Sequence, residues 1–412
     1  MFAVPRRTIH LYPGILRDVL EAARDTPAAA RARIAAFEDG FARHLGSPNV
    51  AAVGSGRLGL KLLLQGLGVG PGHKVAVPAF TDQSVPMAVR RAGAEPVYVD
   101  VDRGSFNLDP NHLETVIQDP AVRAVIALHI FGAPCDLPAI ETIVARRGLP
   151  LLEDCAHAID ASSGGRMCGT IGVGAIFSFV VTKAINAFGG GMVATQNAEL
   201  GDYVRRAVAE LPLPEAAGLA RRIAAGMALH TATRPDVFTW LLRPALTALE
   251  AAGGDVITAY NKLARPSTIN AHVERAFSPV QAAVALPQLR QLATTQAARR
   301  DAADRIRAVL PDWLTPQTLR AGDEHAYYFF SATADNPERA ASLLSRHGID
   351  VGRFPMRNVA ALDDPTEGPR RFPNAQWVYE HALQIPVHPT LGPVAVQRMV
   401  DAMRSLKDSE DS

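Results

Sequence analysis

Between residues 49 and 195 short apolar runs alternate with stretches whose apolar positions recur every three or four residues. The runs at 50–53, 75–77, 96–99, 122–128, 151–153, 175–180 and 192–194 read as strands, and 58–67, 84–91, 112–117 and 137–147 read as helices. That alternation predicts a mostly parallel sheet covered by helices, an α/β architecture. Sheets of this kind place their sites just beyond the carboxyl ends of strands, which is where Ser55, Asp154 and Lys183 fall.

After residue 201 the pattern changes to long, Ala-rich and Arg-rich helical sequence broken by Pro212, Pro214, Pro235, Pro244 and Pro266. Residues 281–309 predict one or two helices, and 327–333 followed by 337–347 predict a strand and a helix of a C-terminal α+β unit. A single core rarely grows past roughly 250 to 300 residues, so a chain of 412 is expected to form two domains. We place a large domain at 1–275, with a helical insertion at about 207–270, and a smaller one at 276–412.

Composition narrows the function. Lys and Arg number 42 against 41 for Asp and Glu, so no global field draws the chain to nucleic acid. No apolar run approaches the roughly 18 residues of a membrane span. The start, up to Arg7, lacks the apolar core of a secretory signal. Cys135, Cys155 and Cys168 lack the close paired spacing of a zinc site, so no metal is expected, and a reducing, cytoplasmic setting fits them. The cations are almost all arginine. Lys61, Lys74, Lys183, Lys262 and Lys407 are the only amines available for Schiff-base chemistry, because arginine stays protonated.

Asp154 ends the apolar run that begins at Leu151. A carboxylate there needs a cationic partner or a capping role, which leaves two readings: an Asp that holds a protonated pyridine nitrogen, or one that caps the next helix. Lys183 comes after the apolar run 176–181, with the hydroxyls of Ser178 and Thr182 nearby and Gly189, Gly190 and Gly191 beyond it. An amine in apolar surroundings is held in the neutral form that attacks an aldehyde, whereas a lysine at a strand end is otherwise a surface residue. Ser55 and Gly56, between a strand and a helix, offer a hydroxyl and backbone amides to a phosphate, or make a simple turn.

Taken in order along nearly the whole chain, these motifs resemble those of the DegT/StrS family of sugar aminotransferases, with the aspartate aminotransferase fold (fold type I). The likeness includes Gly54-Ser55-Gly56, Gly93-Ala94-Glu95-Pro96-Val97, the stretch from His129 to Asp136, Glu153-Asp154-Cys155-Ala156-His157-Ala158, Phe177-Ser178-Phe179 with Lys183, and Leu383-Gln384-Ile385-Pro386. The resemblance implies pyridoxal 5'-phosphate as cofactor, bound to Lys183 as a Schiff base. Asp154 would meet its ring nitrogen, His157 its ring face and Ser178 its phosphate. It further implies a homodimer, an amino acid donor such as glutamate, and a keto-sugar acceptor, nucleotide-linked. Related dehydrating enzymes carry a histidine in place of the lysine, so Lys183 favours transamination.

Three positions depart from the family pattern. Arg57 stands where threonine is common and could meet the phosphate with its charge, Asp82 where an aromatic residue is usual, and Glu274 near a partner-subunit asparagine. Phe80 is the nearest replacement for the missing aromatic surface. Two rival readings are another fold-type-I reaction on a non-sugar substrate, and a regulatory or scaffolding protein that kept the fold and lost catalysis. The insertion, with Leu219, Ile223, Met227 and Leu229 followed by Phe238, Trp240, Leu241, Leu242, Leu246 and Leu249, predicts a helical hairpin. It either packs on the body of the protein or contacts a large or lipid-linked acceptor, or the membrane surface bearing it, through Arg221, Arg222, Arg234 and Arg243.

Overall fold

A computed structural model of the chain describes residues 3–245, 248, 252, 274–352 and 356–408. The predicted α/β sheet is present. Its strands are β1 (Asn49–Val53), β2 (Lys74–Pro78), β3 (Glu95–Val99), β4 (Val122–Leu128), β5 (Leu151–Asp154), β6 (Gly174–Ser178) and β7 (Gly191–Thr195), in the order β1-β7-β6-β5-β4-β2-β3. β7 runs antiparallel to both neighbours, and every other pairing is parallel. The carboxyl ends of β1, β5 and β6 therefore open on one edge, and β7 starts there.

Helix α1 (Pro27–Leu45) lays Phe37 and Phe41 on the sheet, where they meet Phe177 and Phe179 at centroid distances of 4.9 Å (Phe41 to Phe177) and 5.4 Å (Phe37 to Phe179). Successive side chains in a strand point to opposite faces. With Phe177 and Phe179 held in this aromatic core, Ser178 turns the other way. The strand expected over 175–180 ends at Ser178, because the Phe179 carbonyl takes the Ala187 and Gly189 amides and closes 179–189 into a loop. Lys183 sits on that loop, in a turn closed by its own N–H to the Val180 carbonyl at 2.9 Å.

Helix α2 (Gly56–Gly66) follows β1 directly, its first turn capped by the Ser55 hydroxyl, which accepts from the Leu58 N–H at 3.2 Å. In the insertion, α3 (Ala216–Ala232) packs Leu219 and Ile223 against Tyr12, Ile15, Phe188 and Val284. Gly226 makes this docking possible, since a Cβ there would lie 2.6 Å from the Phe188 ring. Phe238 is buried against Ala3, while Trp240 and Leu241 are 68% and 69% exposed. Leu246 and Leu249 lie outside the described residues. No helix among the described residues is long and apolar enough to cross a membrane.

Helix α4 (Pro279–Arg290) contributes Ala282, Ala285 and Leu289 to the same core as α1. Beyond it, Thr315–Pro316, Phe330–Thr333 and Ala382–Ile385 form a second, antiparallel sheet around Phe330, Leu344, Leu383, Met399 and Met403. The strand expected from 327 begins only at Phe330. Tyr327 has φ 46°, outside the strand region, and the amides of Ala326 and Tyr328 bond to the carbonyls of Gly132 and Phe131 instead.

Candidate active site

Glu153 and Asp154, adjacent at the end of β5, face opposite ways and have opposite fates. The Glu153 carboxylate is fully buried and accepts the amides of Gly169, Ile171 and Gly172 at 2.7–2.8 Å, with His129 Nε2 at 3.2 Å. It ties the β5–β6 connection together. Asp154 is 5% exposed and lines a cavity of about 820 Å³ at the sheet edge. Its Oδ1 accepts the Ala156 N–H at 2.9 Å. Beyond Asp154 the backbone runs through a series of turns, which hold His157, so of the two readings of Asp154 the helix cap is ruled out. Burial pushes the Asp154 carboxyl above the usual carboxylate range. The Ala156 N–H and the charges of Lys183 and His129 pull it back, while Asp82 adds repulsion.

Lys183 is 9% exposed, and its Nζ lies 4.5 Å from the centre of the Tyr328 ring. Tyr328 in turn donates its hydroxyl to Thr182 Oγ1 at 2.9 Å. The His157 ring stacks on Tyr328 at 4.4 Å and lies nearly parallel to Phe131 at 6.0 Å. Its Nδ1 accepts the Phe131 N–H at 3.3 Å, which leaves the ring proton on Nε2. Sequence reasoning missed Tyr328. The aromatic run from Tyr327 to Phe330 was visible, but only the bonds of 326–328 to the loop after β4 carry it to the site.

The same cavity is lined by all seven residues expected from sequence: Ser55, Gly56, Arg57, Asp154, His157, Ser178 and Lys183. Gly191 pairs with Ser178, and a Cβ on Gly191 would lie 2.8 Å from the Gly56 nitrogen. The ends of β1, β6 and β7 thus close into a corner walled by backbone at the start of α2, a setting suited to an anion. Of the other lysines, Lys61 pairs with Glu274, Lys74 with Asp119 and Lys407 with Asp312, and Lys262 lies outside the described residues.

The three departures all line this cavity. Glu274 accepts from Lys61 Nζ at 2.8 and 2.9 Å within its own chain, and Asp82 accepts the Ser84 N–H at 2.9 Å. Phe80 is not among the lining residues. It is buried edge-on against Phe131, and the rings that line the cavity are those of His157 and Phe188, with Tyr328 stacked on His157. Seven cationic side chains line the cavity, from Arg57, Lys61, Arg91, Lys183, Arg221, Arg222 and Arg275, against four carboxylates, from Asp82, Asp154, Glu215 and Glu274. Of the insertion's other arginines, Arg234 pairs with Asp236 and Arg243 bonds to the Ser345 carbonyl.

Behind the sheet edge the fold also gathers His129, Glu153 and Cys168, whose ligand atoms lie within 4.8 Å of one another. The hydrogen bonds of Glu153, and the acceptance of the Cys135 N–H by His129 Nδ1 at 3.1 Å, account for this group as internal scaffolding.

Known proteins share both the sequence and the fold. The sequence pattern of the DegT/DnrJ/EryC1/StrS aminotransferase family matches residues 14–212 and 269–404. The spore coat polysaccharide biosynthesis protein SpsC of Bacillus subtilis (strain 168) is 26% identical over 397 residues, covering 92% of this chain and 90% of SpsC. A pleiotropic regulatory protein of Geobacillus stearothermophilus is 35% identical over 196 residues, 47% of this chain and 52% of that protein. The crystal structure of the aminotransferase TlmJ from Streptoalloteichus hindustanus superposes with a TM-score of 0.74 at 25% identity, over the full length of both chains.

Proposed function

Because the chain belongs to the DegT/DnrJ/EryC1/StrS aminotransferase family, we propose that it moves an amino group from glutamate to a nucleotide-linked keto-sugar, with pyridoxal 5'-phosphate held in the cavity described above. The observation that carries this reading is the meeting of Lys183 and Asp154, 29 residues apart in sequence, as buried groups in one cavity.

The residues fit the cofactor. The corner of Ser55, Gly56 and Ser178, closed by Gly191, suits its phosphate, with Arg57 at hand for a charged contact. Asp154 is a buried carboxylate that a cationic ring nitrogen would stabilise, and the His157 ring, with Tyr328 stacked on it, lines the same cavity. When bound, the cofactor supplies an aldehyde and an electron-withdrawing ring. The chain does the rest. Lys183 Nζ would hold the aldehyde and, when free, would act as general base toward the donor Cα–H. In the second half it moves a proton back to the acceptor carbon. Asp154 would favour a proton on the ring nitrogen. Tyr328, fixed by Thr182, sets the approach of the lysine, and we class it as a positioning residue.

A sugar acceptor is supported by the family and by SpsC, whose name places it in polysaccharide biosynthesis. A nucleotide link is supported by the cavity's excess of cations, in a chain whose net charge is +1, and by a volume of about 820 Å³. The working unit in this reading is a symmetric homodimer acting in the cytoplasm. Contact of the insertion with a membrane surface or a lipid-linked acceptor draws its support from the exposed Trp240 and Leu241. The test is a two-stage reaction: glutamate added to the pyridoxal phosphate-loaded protein should shift the cofactor's absorbance, and a nucleotide-linked keto-sugar should reverse the shift. A protein that stays colourless with added pyridoxal phosphate would instead favour the regulatory reading, and a shift reversed only by non-sugar ketones would favour a different acceptor.

A further inference from the structure

Helix α3 lies in the 213–268 gap of the family pattern, yet it forms a wall of the site. Gly218, Leu219, Arg222, Ala225, Gly226 and Leu229 all line the cavity, at the three- and four-residue spacing of one helical face. The Arg222 side chain crosses to the glycine turn of the Lys183 loop. A Cβ on Gly189, which has φ 126°, would lie 2.6 Å from Arg222 Nη1, so the guanidinium rests on a backbone that only glycine leaves open.

Arg222 has no ion-pair or hydrogen-bond partner among the described residues, and burial alone pulls its pKa below the ordinary arginine value. In the same cavity Arg91 Nη2 is buried without a hydrogen-bond partner. A partly desolvated guanidinium without a counter-ion is a ready anion site. Meanwhile the cavity's carboxylates are largely engaged: Glu274 with Lys61, Glu215 with Arg275 at 3.1 Å, and Asp82 with the Ser84 amide.

We propose that Arg222, carried by the inserted helix, anchors phosphate oxygens of the acceptor. Phosphate oxygens reach this cavity from two sources, the cofactor and an activated sugar. The cofactor is shared across the family, whereas α3 lies outside the family pattern, which ties Arg222 to the part of the reaction that differs among members. This inference rests on the aminotransferase reading above.

The test uses the pyridoxal phosphate-loaded protein with inorganic pyrophosphate as the probe, compared in wild type, Arg222→Gln and Arg222→Lys by titration calorimetry. Loss of one charged, two-pronged contact should raise the pyrophosphate Kd about tenfold or more in Arg222→Gln, with partial recovery in Arg222→Lys, which keeps the charge but not the fork. The Kd for pyridoxal phosphate, read by absorbance on the cofactor-free protein, should stay within about twofold of wild type for a residue outside the cofactor cradle. Weakened cofactor binding with unchanged pyrophosphate binding would assign Arg222 to the cofactor and overturn the proposal. So would a raised KM for glutamate with unchanged pyrophosphate binding, or wild-type protein that does not bind pyrophosphate. If glutamate fails to shift the cofactor's absorbance in wild type while pyrophosphate binding still depends on Arg222, the aminotransferase reading fails and the anion site stands.

Discussion

Asp154→Asn separates a functional carboxylate from a structural one, because the two roles predict opposite effects on stability. Asn retains an oxygen for the Ala156 N–H at 2.9 Å and nearly the same volume, so the turn after β5 should survive. The substitution removes a charge at a site only 5% exposed. The folded carboxyl lies above its ordinary value because burial outweighs the pull of Ala156, Lys183 and His129. A raised carboxyl pKa means that the fold favours the protonated form, so ionisation costs stability above the unfolded value of 3.8 and that cost disappears as the pH falls below it. Each unit of such a shift is worth about 1.4 kcal/mol. The cofactor-free variant should therefore equal or exceed wild type in urea unfolding at pH 7. The glutamate half-reaction, followed by stopped-flow absorbance, should slow by about 10²- to 10³-fold, the usual cost of losing one preorganised electrostatic partner. A variant destabilised by more than about 1 kcal/mol that still reacts within about threefold of wild type would show that Asp154 holds the fold and not the cofactor.

Lys183→Ala should abolish both the cofactor's bound-state absorbance and turnover, and normal turnover would end the assignment. His325 is buried, takes the Tyr327 N–H on Nδ1 at 2.7 Å, and has its pKa pushed down to about 3 by burial and by Arg307 and Arg300. A depressed histidine pKa gives stability that is intact above 6.5 and lost as the pH falls toward 3. His325 should thus contribute a drop in unfolding free energy of about 1.4 kcal/mol per pH unit between roughly pH 6 and 4.5, a contribution that His325→Asn should remove. Sedimentation should find a homodimer, and a fully active monomer would refute a site shared across subunits. If the insertion meets membranes, vesicles of anionic lipid should retain the wild type and release a Trp240→Ser, Leu241→Ser double variant, whereas equal retention of both would leave these side chains no such role.

The α/β architecture and a set of site candidates that share one cavity were legible in the sequence. Short apolar runs set the strands of the main sheet, because a parallel strand buried on both faces tolerates little else, and the strand-end positions of Ser55, Asp154 and Lys183 came out of that alternation. The order of motifs then identified the family, and all seven expected site residues share one cavity. Packing alone decided the rest. Glu153 and Asp154 look alike in sequence, and the pleat sends one to backbone amides and the other to the cavity. Lys183 leaves the strand because the Phe179 carbonyl bonds across its own loop, and His157 stands in a turn because no helix begins after Asp154. Tyr328 was illegible because it reaches the site from far along the chain, through a backbone bond to Phe131, and Arg222, legible only as one of four arginines of the insertion, is singled out by its path over the bare backbone of Gly189. Periodicity reports which face of an element is buried, while the neighbour that buries it is fixed only when distant segments close on one another.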